Sequence, residues 1–483
     1  MEANLSMNNV LTDSEKKIRN KKSWIPDPYV IIFSLMVIAA IATWIIPAGE
    51  FDRVVDEATQ RNIVQAGTYH HVEQNPVNPI DFFVYIQKGM MDAADISIFL
   101  LIIGGTFGIF KATGAIDALI ARIMVIFGGK TYEKWIFVVL FAFFYTCSAI
   151  FGMSEEGMVF VPFIVSMSVA LGYDAVLGLS VMILSSALGY TASLTNPFNI
   201  GIAQAIAGLP VYSGMWYRMI VFVVILVVTC TYMLKYAEKV KADPQKSLVA
   251  DIDYSHIEIK DDPSKIKMTK IQKRVIVAFA GSFACMIFSI IKWHFWLDQL
   301  TCVFLAIGIL VGIVARMSAN EIAENFVEGA KTLVFASMLV GLARGIQTVM
   351  ENGLILDSII NGVIQPLSYL PKTLIAPFML FVQSIINLII PSSSAMAVVT
   401  MPIMTPIADV LGVQRQTACL AYQFGDGITN LILPFWPTLV IGLSMSEVPY
   451  QKWVKFAIPL VLILLVIAAT FLAVAELIQV GPF

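Results

Sequence analysis

The chain has 483 residues, of which 58% are hydrophobic and 13% are charged, and its formal net charge is −3. Because a soluble protein could not bury so much apolar surface, this composition predicts a polytopic helical membrane protein. The chain has no basic domain that would bind nucleic acid, and no HExxH, P-loop or GxSxG motif that would indicate an enzyme.

The five cysteines and four histidines predict no cofactor. All five cysteines lie in apolar runs without a CxxC pair, which is typical of buried, unreactive thiols. The histidines fall in or beside predicted loops. We therefore expect neither a metal site nor an intramembrane histidine proton relay.

The N-terminal segment, residues 1–28, is polar and becomes basic just before the first apolar run. Its basic residues there are Lys16, Lys17, Arg19, Lys21 and Lys22. The positive-inside rule therefore places this segment in the cytoplasm. The run Tyr29–Ile46 is too long for a cleaved signal and predicts a first transmembrane helix over 29–47. A polar external loop over 48–78 follows.

The first half continues with an amphipathic helix over 79–93, a span over 96–112 and a second amphipathic helix over 114–128. Residues 134–172 then form two apolar arms. Each arm has about 16 apolar residues, or about 24 Å of helix, which is shorter than a bilayer core of about 30 Å. This length favours a re-entrant hairpin with Ser154–Gly157 at its tip. Two ordinary spans joined by an external turn are the alternative.

An apolar segment over 175–207 comes next and is interrupted at Thr191–Asn199. A charge-rich segment, residues 238–274, is predicted to be a cytoplasmic linker between two halves. These limits predict a first repeat over 79–237 and a second repeat, with its preceding helices, over 275–477.

The second half repeats the order of elements in the first. Its predicted elements are helices over 275–291 and 298–315, an amphipathic segment over 318–331, a span over 333–349, a hairpin over 372–411 with Pro391–Ser394 at its tip, a helix over 417–446 broken at Gly425–Pro437, and a last helix over 452–477.

Four residues of the first half recur at an offset of 240 positions. The pairs are Ser154 and Ser394, Pro162 and Pro402, Gly172 and Gly412, and Pro197 and Pro437. Matching helix-breaking positions indicate a duplication and are typical of the binding site of a secondary transporter. Following the crossings gives the halves opposite orientations, with the C-terminus external. The predicted fold is an all-α polytopic membrane protein with two inverted repeats, each containing a re-entrant hairpin and a broken helix.

The candidate substrate-binding residues lie at the two tips, at the two breaks and in one span. They are Ser154, Glu155, Glu156, Thr195, Asn196, Asn199, Arg344, Ser392, Ser393, Ser394, Asp426, Thr429 and Asn430. At membrane depth, unwound backbone is tolerated only where protein or a water-filled cavity covers it. Polar groups that merely satisfy kinked helices are the alternative.

Four of these candidates are charged and would be costly to bury in lipid. Glu155 and Glu156 could meet a cationic substrate, bind a proton or pair with a basic residue, and a solvated turn is the alternative. Asp426 is the better-placed acid. Arg344 could hold a substrate carboxylate bidentately or neutralise one of the acids.

Five motifs resemble those of the C4-dicarboxylate anaerobic carrier-like family, and within it the branch of basic amino acid antiporters, which is similar to arginine/ornithine antiporters. They are GMSEEGMVF (152–160), SLTNPFNIGIA (193–203), LARGI (342–346), IIPSSSAMA (389–397) and ITNLILP (428–434). The resemblance covers nearly the whole chain. It implies the ion transporter superfamily, a scaffold and a transport domain, elevator-like movement, homodimers and the bacterial inner membrane.

Two hypotheses follow. The first is a secondary transporter that exchanges small, basic amino acids, with the acids on the cationic group and Arg344 and helix ends on the carboxylate. The second is a C4-dicarboxylate or other carboxylate carrier coupled to Na⁺ or H⁺, with the acids on the coupling ion. A channel is not excluded by the paired breaks, whereas an enzyme would need a catalytic constellation that the sequence lacks.

Overall fold

The computed structural model describes residues 28–56, 61–65, 67–130, 132–210, 212–254, 268–293, 295, 297–366, 370 and 372–481. The predicted cytoplasmic segment lies outside these residues except for Pro28. Residues 255–267 of the predicted linker also lie outside them.

The described residues are nearly all helical. The α-helices are α1 Pro28–Ile45, α2 Pro79–Asp92, α3 Ala94–Ala112, α4 Ala115–Phe127, α5 Trp135–Phe151, α6 Val161–Ala170, α7 Ala175–Thr191, α8 Ile202–Ile206, α9 Met215–Ala242, α10 Lys270–Trp293, α11 Leu297–Val314, α12 Ala319–Lys331, α13 Val334–Asn352, α14 Leu356–Ile364, α15 Lys372–Asn387, α16 Ser393–Leu411, α17 Arg415–Asn430, α18 Pro437–Ser446 and α19 Tyr450–Leu477. Short 3₁₀ turns span Glu155–Phe160 and Pro244–Lys246, and a π-turn spans Pro197–Gly201.

Four short strands depart from the all-α prediction. They are β1 Gly49–Glu50, β2 Arg53–Asp56, β3 Arg61–Val64 and β4 His70–His71. They form two antiparallel pairs, β1 with β4 and β2 with β3. Strands of two to four residues are too short to show a period-two pattern of hydrophobicity, so the sequence did not reveal them.

Several helices are long and apolar enough to cross a membrane. Within the described residues α3, α9, α16 and α19 meet this test singly, and α12 with α13 meets it as a pair bent by 49°. Many exposed side chains on these and neighbouring helices are large and apolar, such as Val223, Val227, Leu462 and Val466. Large apolar side chains on the outer surface of the helices are expected where that surface contacts lipid.

The helices pack as two bundles. The first bundle contains α1–α3 and α11–α13, with α12 and α11 against α3, and α2 and α1 against α13. The second bundle contains α5–α9 and α15–α19, with α7 and α17 packed against each other at its centre. The second bundle meets the rest of the chain mainly where α18 contacts α13, where α6 contacts α4 and where α16 contacts β3.

Glycines allow the closest contacts in the first bundle. Gly104 and Gly108 of α3 lie against Gly329 of α12, and Gly345 of α13 lies against Gly89 of α2, each without room for a side chain. Each of these contacts joins a span of one half to an amphipathic helix of the other half, α3 to α12 and α13 to α2.

Two predicted boundaries are wrong. The break of the second long helix comprises residues 431–436 rather than Gly425–Pro437, so Asp426, Thr429 and Asn430 lie in the last turns of α17. Gly425 and Gly427 lie within the helix, where the absence of a side chain lets Gln383 and Thr191 approach closely, and the helix ends before Pro434.

The helix before the predicted linker is also longer than expected, since α9 continues to Ala242. The chain beyond it returns to the second bundle: Tyr236 Oη and Ser247 Oγ both donate to Asp174 Oδ2, at 2.5 and 2.6 Å. In addition, α14 was not predicted, because its nine residues are too few for a clear helical period.

Candidate functional site

A cavity of about 170 Å³ lies between the two hairpin tips and the two helix breaks. Seven of the predicted site residues line it: Ser154, Glu155, Glu156, Ser392, Ser393, Ser394 and Asn430. The lining includes two carboxylates, and none of the described residues that line it is basic. The tips and breaks, which are far apart in sequence, therefore converge on one acidic cavity.

The first tip is held by hydrogen bonds from both sides of the bundle. Helix α5 ends at Gly152, which has a left-handed φ of 78°. The Ser154 backbone N–H donates to Glu156 Oε2 at 2.9 Å. Thr438 Oγ1, just after the second break, donates to Glu155 Oε1 at 2.9 Å and lies 2.7 Å from Ser154 Oγ. Polar contacts thus position the two carboxylates. Among the described residues, no basic side chain pairs with either of them.

Gly152 is also a place where the chain needs a glycine. A methyl group added there would lie 2.6 Å from both Asn196 Oδ1 and a ring carbon of Phe198. The first tip and the first break are therefore packed against each other through this residue. Its positive φ independently disfavours other side chains.

The second tip presents the start of a helix. Helix α16 begins at Ser393, and its N-cap Ser392 makes no side-chain cap hydrogen bond. Helix α18 begins at Pro437, and its N-cap Trp436 makes none either. Helix N-termini carry free N–H groups and partial positive charge, so these two ends favour an anionic group in the cavity.

A second polar cluster adjoins the cavity through Ser393 and Asn430. Asn199 Nδ2 donates to Asp426 Oδ2 at 2.9 Å and to Ser393 Oγ at 2.7 Å. Asn430 Nδ2 donates to Asp426 Oδ1 at 3.2 Å. Asp426 is fully buried, and the hydrogen bonds to its carboxylate come from uncharged groups within the described residues. Side-chain amides, rather than a cationic side chain, therefore stabilise the carboxylate of Asp426 in this cluster.

Other buried oxygens surround this cluster. Asn387 Nδ2 donates to the Asp426 carbonyl at 3.0 Å and to Thr429 Oγ1 at 2.8 Å. Asn199 Oδ1 and Asn387 Oδ1 are buried and have no hydrogen-bond partner among the described residues. Buried unpaired acceptors are unusual, and they are the kind of group that a bound cation would satisfy.

The remaining predicted residues lie at the edges of the site. Thr195 Oγ1 donates to the Ile150 carbonyl at 3.1 Å, and Asn196 Oδ1 accepts the Phe198 N–H at 2.8 Å, so both stabilise the first break. Arg344 lies outside the cavity lining, on α13 of the first bundle, and its guanidinium donates to Gln347. In this structure Arg344 therefore lies neither in the lining of this cavity nor beside the acids of the first tip.

Several residues of the site were missed by sequence reasoning. Tyr190, Phe198 and Trp436 line the cavity, and Thr438 contacts Glu155. The sequence could have indicated these residues only by their position, since each lies inside a predicted break or directly beside it. Aromatic side chains in apolar segments look like core, so only their convergence on the cavity distinguishes them.

A further missed residue is Arg218, whose side chain is fully buried in α9. It donates to the carbonyls of Leu194, Tyr212 and Ser213 at 3.0, 3.1 and 2.6 Å. Leu194 belongs to the first break, so this guanidinium donates hydrogen bonds to backbone carbonyls that have no helical partner there.

Comparison with known proteins agrees with a transport role. The profile of the family described as C4-dicarboxylate anaerobic carrier matches residues 25–477. An uncharacterized protein of Haemophilus influenzae is 30% identical over 96% of this chain and 98% of its own length. The Escherichia coli protein named "Putative basic amino acid antiporter YfcC" is 30% identical over 94% of this chain and 96% of its own length. The solved structure of MtrF from Neisseria gonorrhoeae matches with a TM-score of 0.44 and 17% identity, over 96% of this chain and 97% of that chain.

The family match spans nearly the whole chain, and together with the apolar helices it establishes an integral membrane protein of the bacterial inner membrane. The expectation that the protein is not an enzyme is confirmed, because the family and the named relative are transporters. The resemblance drawn from the five motifs is confirmed as well. The chain therefore belongs to the C4-dicarboxylate anaerobic carrier family and is a secondary transporter of small molecules.

Proposed function

We propose that the protein exchanges basic amino acids across the inner membrane, with the cationic side chain of the substrate against Glu155 and Glu156. The observation that carries this proposal is the charge of the cavity, which has two carboxylates and no basic group among its described lining residues. A dicarboxylate in the same place would meet charge of its own sign, which is strongly unfavourable where water is largely excluded.

The two tips differ in a way that suits an amino acid. Glu155 at the first tip corresponds, 240 positions later, to Ala395, whereas Ser154 corresponds to Ser394. One end of the cavity is thus acidic, and the other holds the uncapped start of α16. The side-chain ammonium or guanidinium of the substrate faces the acidic tip, and its carboxylate faces the N-terminus of α16.

Counterflow tests the substrate class. Proteoliposomes containing the purified protein are loaded with unlabelled arginine, ornithine or succinate, and the same labelled compounds are added outside. We expect accumulation of label with arginine and ornithine inside and none with succinate. Accumulation driven by succinate alone would overturn the proposal.

A second candidate is a carboxylate carrier coupled to Na⁺ or H⁺. The buried Asp426 carboxylate with the unpaired oxygens of Asn199 and Asn387 favours it, because these groups suit a cation. In that case Asp426 and the two acids of the first tip bind the coupling ions. The substrate carboxylates are bound by helix N-termini and hydroxyl groups. A coupling ion at Asp426 is also compatible with amino acid transport.

We further infer that the two halves are inverted repeats, from α1 to α9 and from α11 to α19. The first extends beyond its predicted limits of 79–237, and the second lies within its predicted limits of 275–477. Ser97 Oγ donates to the Ser337 carbonyl at 3.0 Å, and Ser337 Oγ donates to the Ser97 carbonyl at 3.2 Å. These serines are 240 positions apart, the offset of the paired breaks. Reciprocal contacts between equivalent residues are what a two-fold axis produces.

The movement that we infer is an elevator-like displacement of the second bundle, which holds the cavity, against the first bundle, which serves as scaffold. The support is that most helix packing is internal to each bundle. The basic N-terminal segment favours a cytoplasmic N-terminus, and opposite repeats then give an external C-terminus. The homodimer implied by the family resemblance stays a prediction.

Pro197→Ala and Pro437→Ala test the paired breaks. Each proline begins the second arm of a broken helix and keeps the preceding residue out of the helical region. We expect both substitutions to lower the exchange rate severalfold at unchanged membrane insertion, because helix can then extend into the break. Normal transport by both variants would contradict the paired-break arrangement. Pro459→Ala, in α19 and away from the cavity, is the control.

A further inference from the structure

Three aromatic side chains line the same cavity as Glu155 and Glu156. They are Tyr190 and Phe198, from the two sides of the first break, and Trp436, from the second. Trp436 is nearly buried, with 6% of its surface exposed. Aromatic side chains from both halves of the chain therefore line the cavity that contains the acidic tip.

All three rings are held next to the acidic tip. Tyr190 Oη donates to the Gly152 carbonyl at 2.8 Å, two residues before Ser154. The Phe198 ring packs on Gly152, where an added methyl group would lie 2.6 Å from it. Trp436 is two residues before Thr438, whose hydroxyl donates to Glu155 at 2.9 Å. The aromatic walls and the carboxylates thus form one unit rather than independent features.

This combination discriminates between the two kinds of cation that basic amino acids carry. A guanidinium is planar, weakly hydrated, stacks on aromatic faces and can bind a carboxylate through two parallel hydrogen bonds. A primary ammonium is a compact, strongly hydrated point charge and loses more hydration on entering an aromatic cavity. Tryptophan is the best aromatic partner for a cation.

We propose that Trp436, together with Tyr190 and Phe198, makes the cavity selective for a guanidinium-bearing amino acid over one that ends in a primary ammonium. The inference rests on the proposed function, whose acids supply the charge, and it adds that the aromatic walls decide which cation is preferred. Trp436 is the specificity-determining residue because it is the only tryptophan among the described lining residues.

The test compares exchange competition in proteoliposomes. The concentrations of unlabelled arginine and ornithine that halve the exchange of labelled arginine are measured for the natural protein, Trp436→Leu and Trp436→Phe. We expect the natural protein to prefer arginine, Trp436→Leu to reduce the arginine-to-ornithine preference by about 3- to 30-fold, and Trp436→Phe to retain most of it. Trp216→Leu, an exposed tryptophan of α9 outside the cavity lining, is the matched control and keeps the natural ratio.

Three outcomes overturn the inference: no arginine preference in the natural protein, an unchanged ratio in Trp436→Leu, or an equal loss of both competitors. If Trp436→Leu does not insert into the membrane, Phe198→Leu is measured in the same way and must lower the ratio in the same direction. Absence of exchange with every basic amino acid in the natural protein would overturn the proposed function instead. The two failures are therefore distinguishable.

Discussion

Glu155→Gln and Glu156→Gln should each lower the catalytic efficiency of arginine exchange, kcat/KM, by about 30-fold or more. Glutamine keeps the size and an acceptor oxygen, so the contacts from Thr438 to residue 155 and from the Ser154 N–H to residue 156 can persist. What is lost is one of the two negative charges that meet the substrate cation in a cavity with no basic group among its described lining residues. The measurement is initial exchange of labelled arginine over a range of external concentrations in proteoliposomes.

The matched control is Glu324→Gln, on an exposed position of α12. It removes the same charge from the chain and should leave kcat/KM unchanged. If both tip variants exchange arginine with the natural KM, the carboxylates do not bind the cargo. The acidic cavity would then be an ion site, as the carboxylate-carrier hypothesis requires.

Asp426→Asn should uncouple transport from any cation while leaving arginine binding intact. Asp426 is fully buried, and its carboxylate accepts from Asn199 and Asn430, so an amide of the same shape fits the same space. Removing the charge removes the electrostatic attraction for Na⁺ or H⁺ at the unpaired oxygens beside it. We expect any dependence of exchange on Na⁺ or pH to be lost, with the arginine KM changed by less than about threefold, which corresponds to less than about 0.7 kcal/mol.

Arginine exchange by the natural protein and Asp426→Asn is measured with and without Na⁺ and across a pH series. Asp298→Asn, on an exposed position of α11, controls for loss of one acid. A variant that loses arginine binding but keeps the natural ion dependence would place Asp426 in the substrate site. Loss of dicarboxylate counterflow on this substitution would support the second candidate function.

The helix interruptions illustrate what local sequence decides. Gly152 permits a left-handed turn, and Pro197, Pro391 and Pro437 restrict the backbone wherever they occur. The positions of the predicted tips and of the two breaks were therefore predictable within a few residues. The predicted lower limit at Gly425 was wrong because Gly425 and Gly427 provide room for close packing against Gln383 and Thr191 and do not interrupt the helix. Local propensity therefore located the breaks, and packing set the extent of the second one.

The candidate site shows the same division. The residue types Ser154, Glu155, Glu156 and Ser392–Ser394 stand out in apolar surroundings, so the sequence identified them as site candidates. Neither the convergence of both tips on one cavity nor the position of Arg344 outside it follows from spacing along the chain. Both depend on how α7, α16, α17 and α18 pack.

The sequence alone determined that the protein is a helical membrane protein with paired polar interruptions, because hydrophobicity and helix-breaking residues act locally and need no knowledge of the packing. Only the tertiary structure decided that Tyr190 and Trp436 line the same cavity as the acids and that Asn199 meets Asp426 across 227 positions. The physical reason is that binding chemistry depends on distances between side chains. Those distances are set by helix contacts between the two halves, which no single segment encodes.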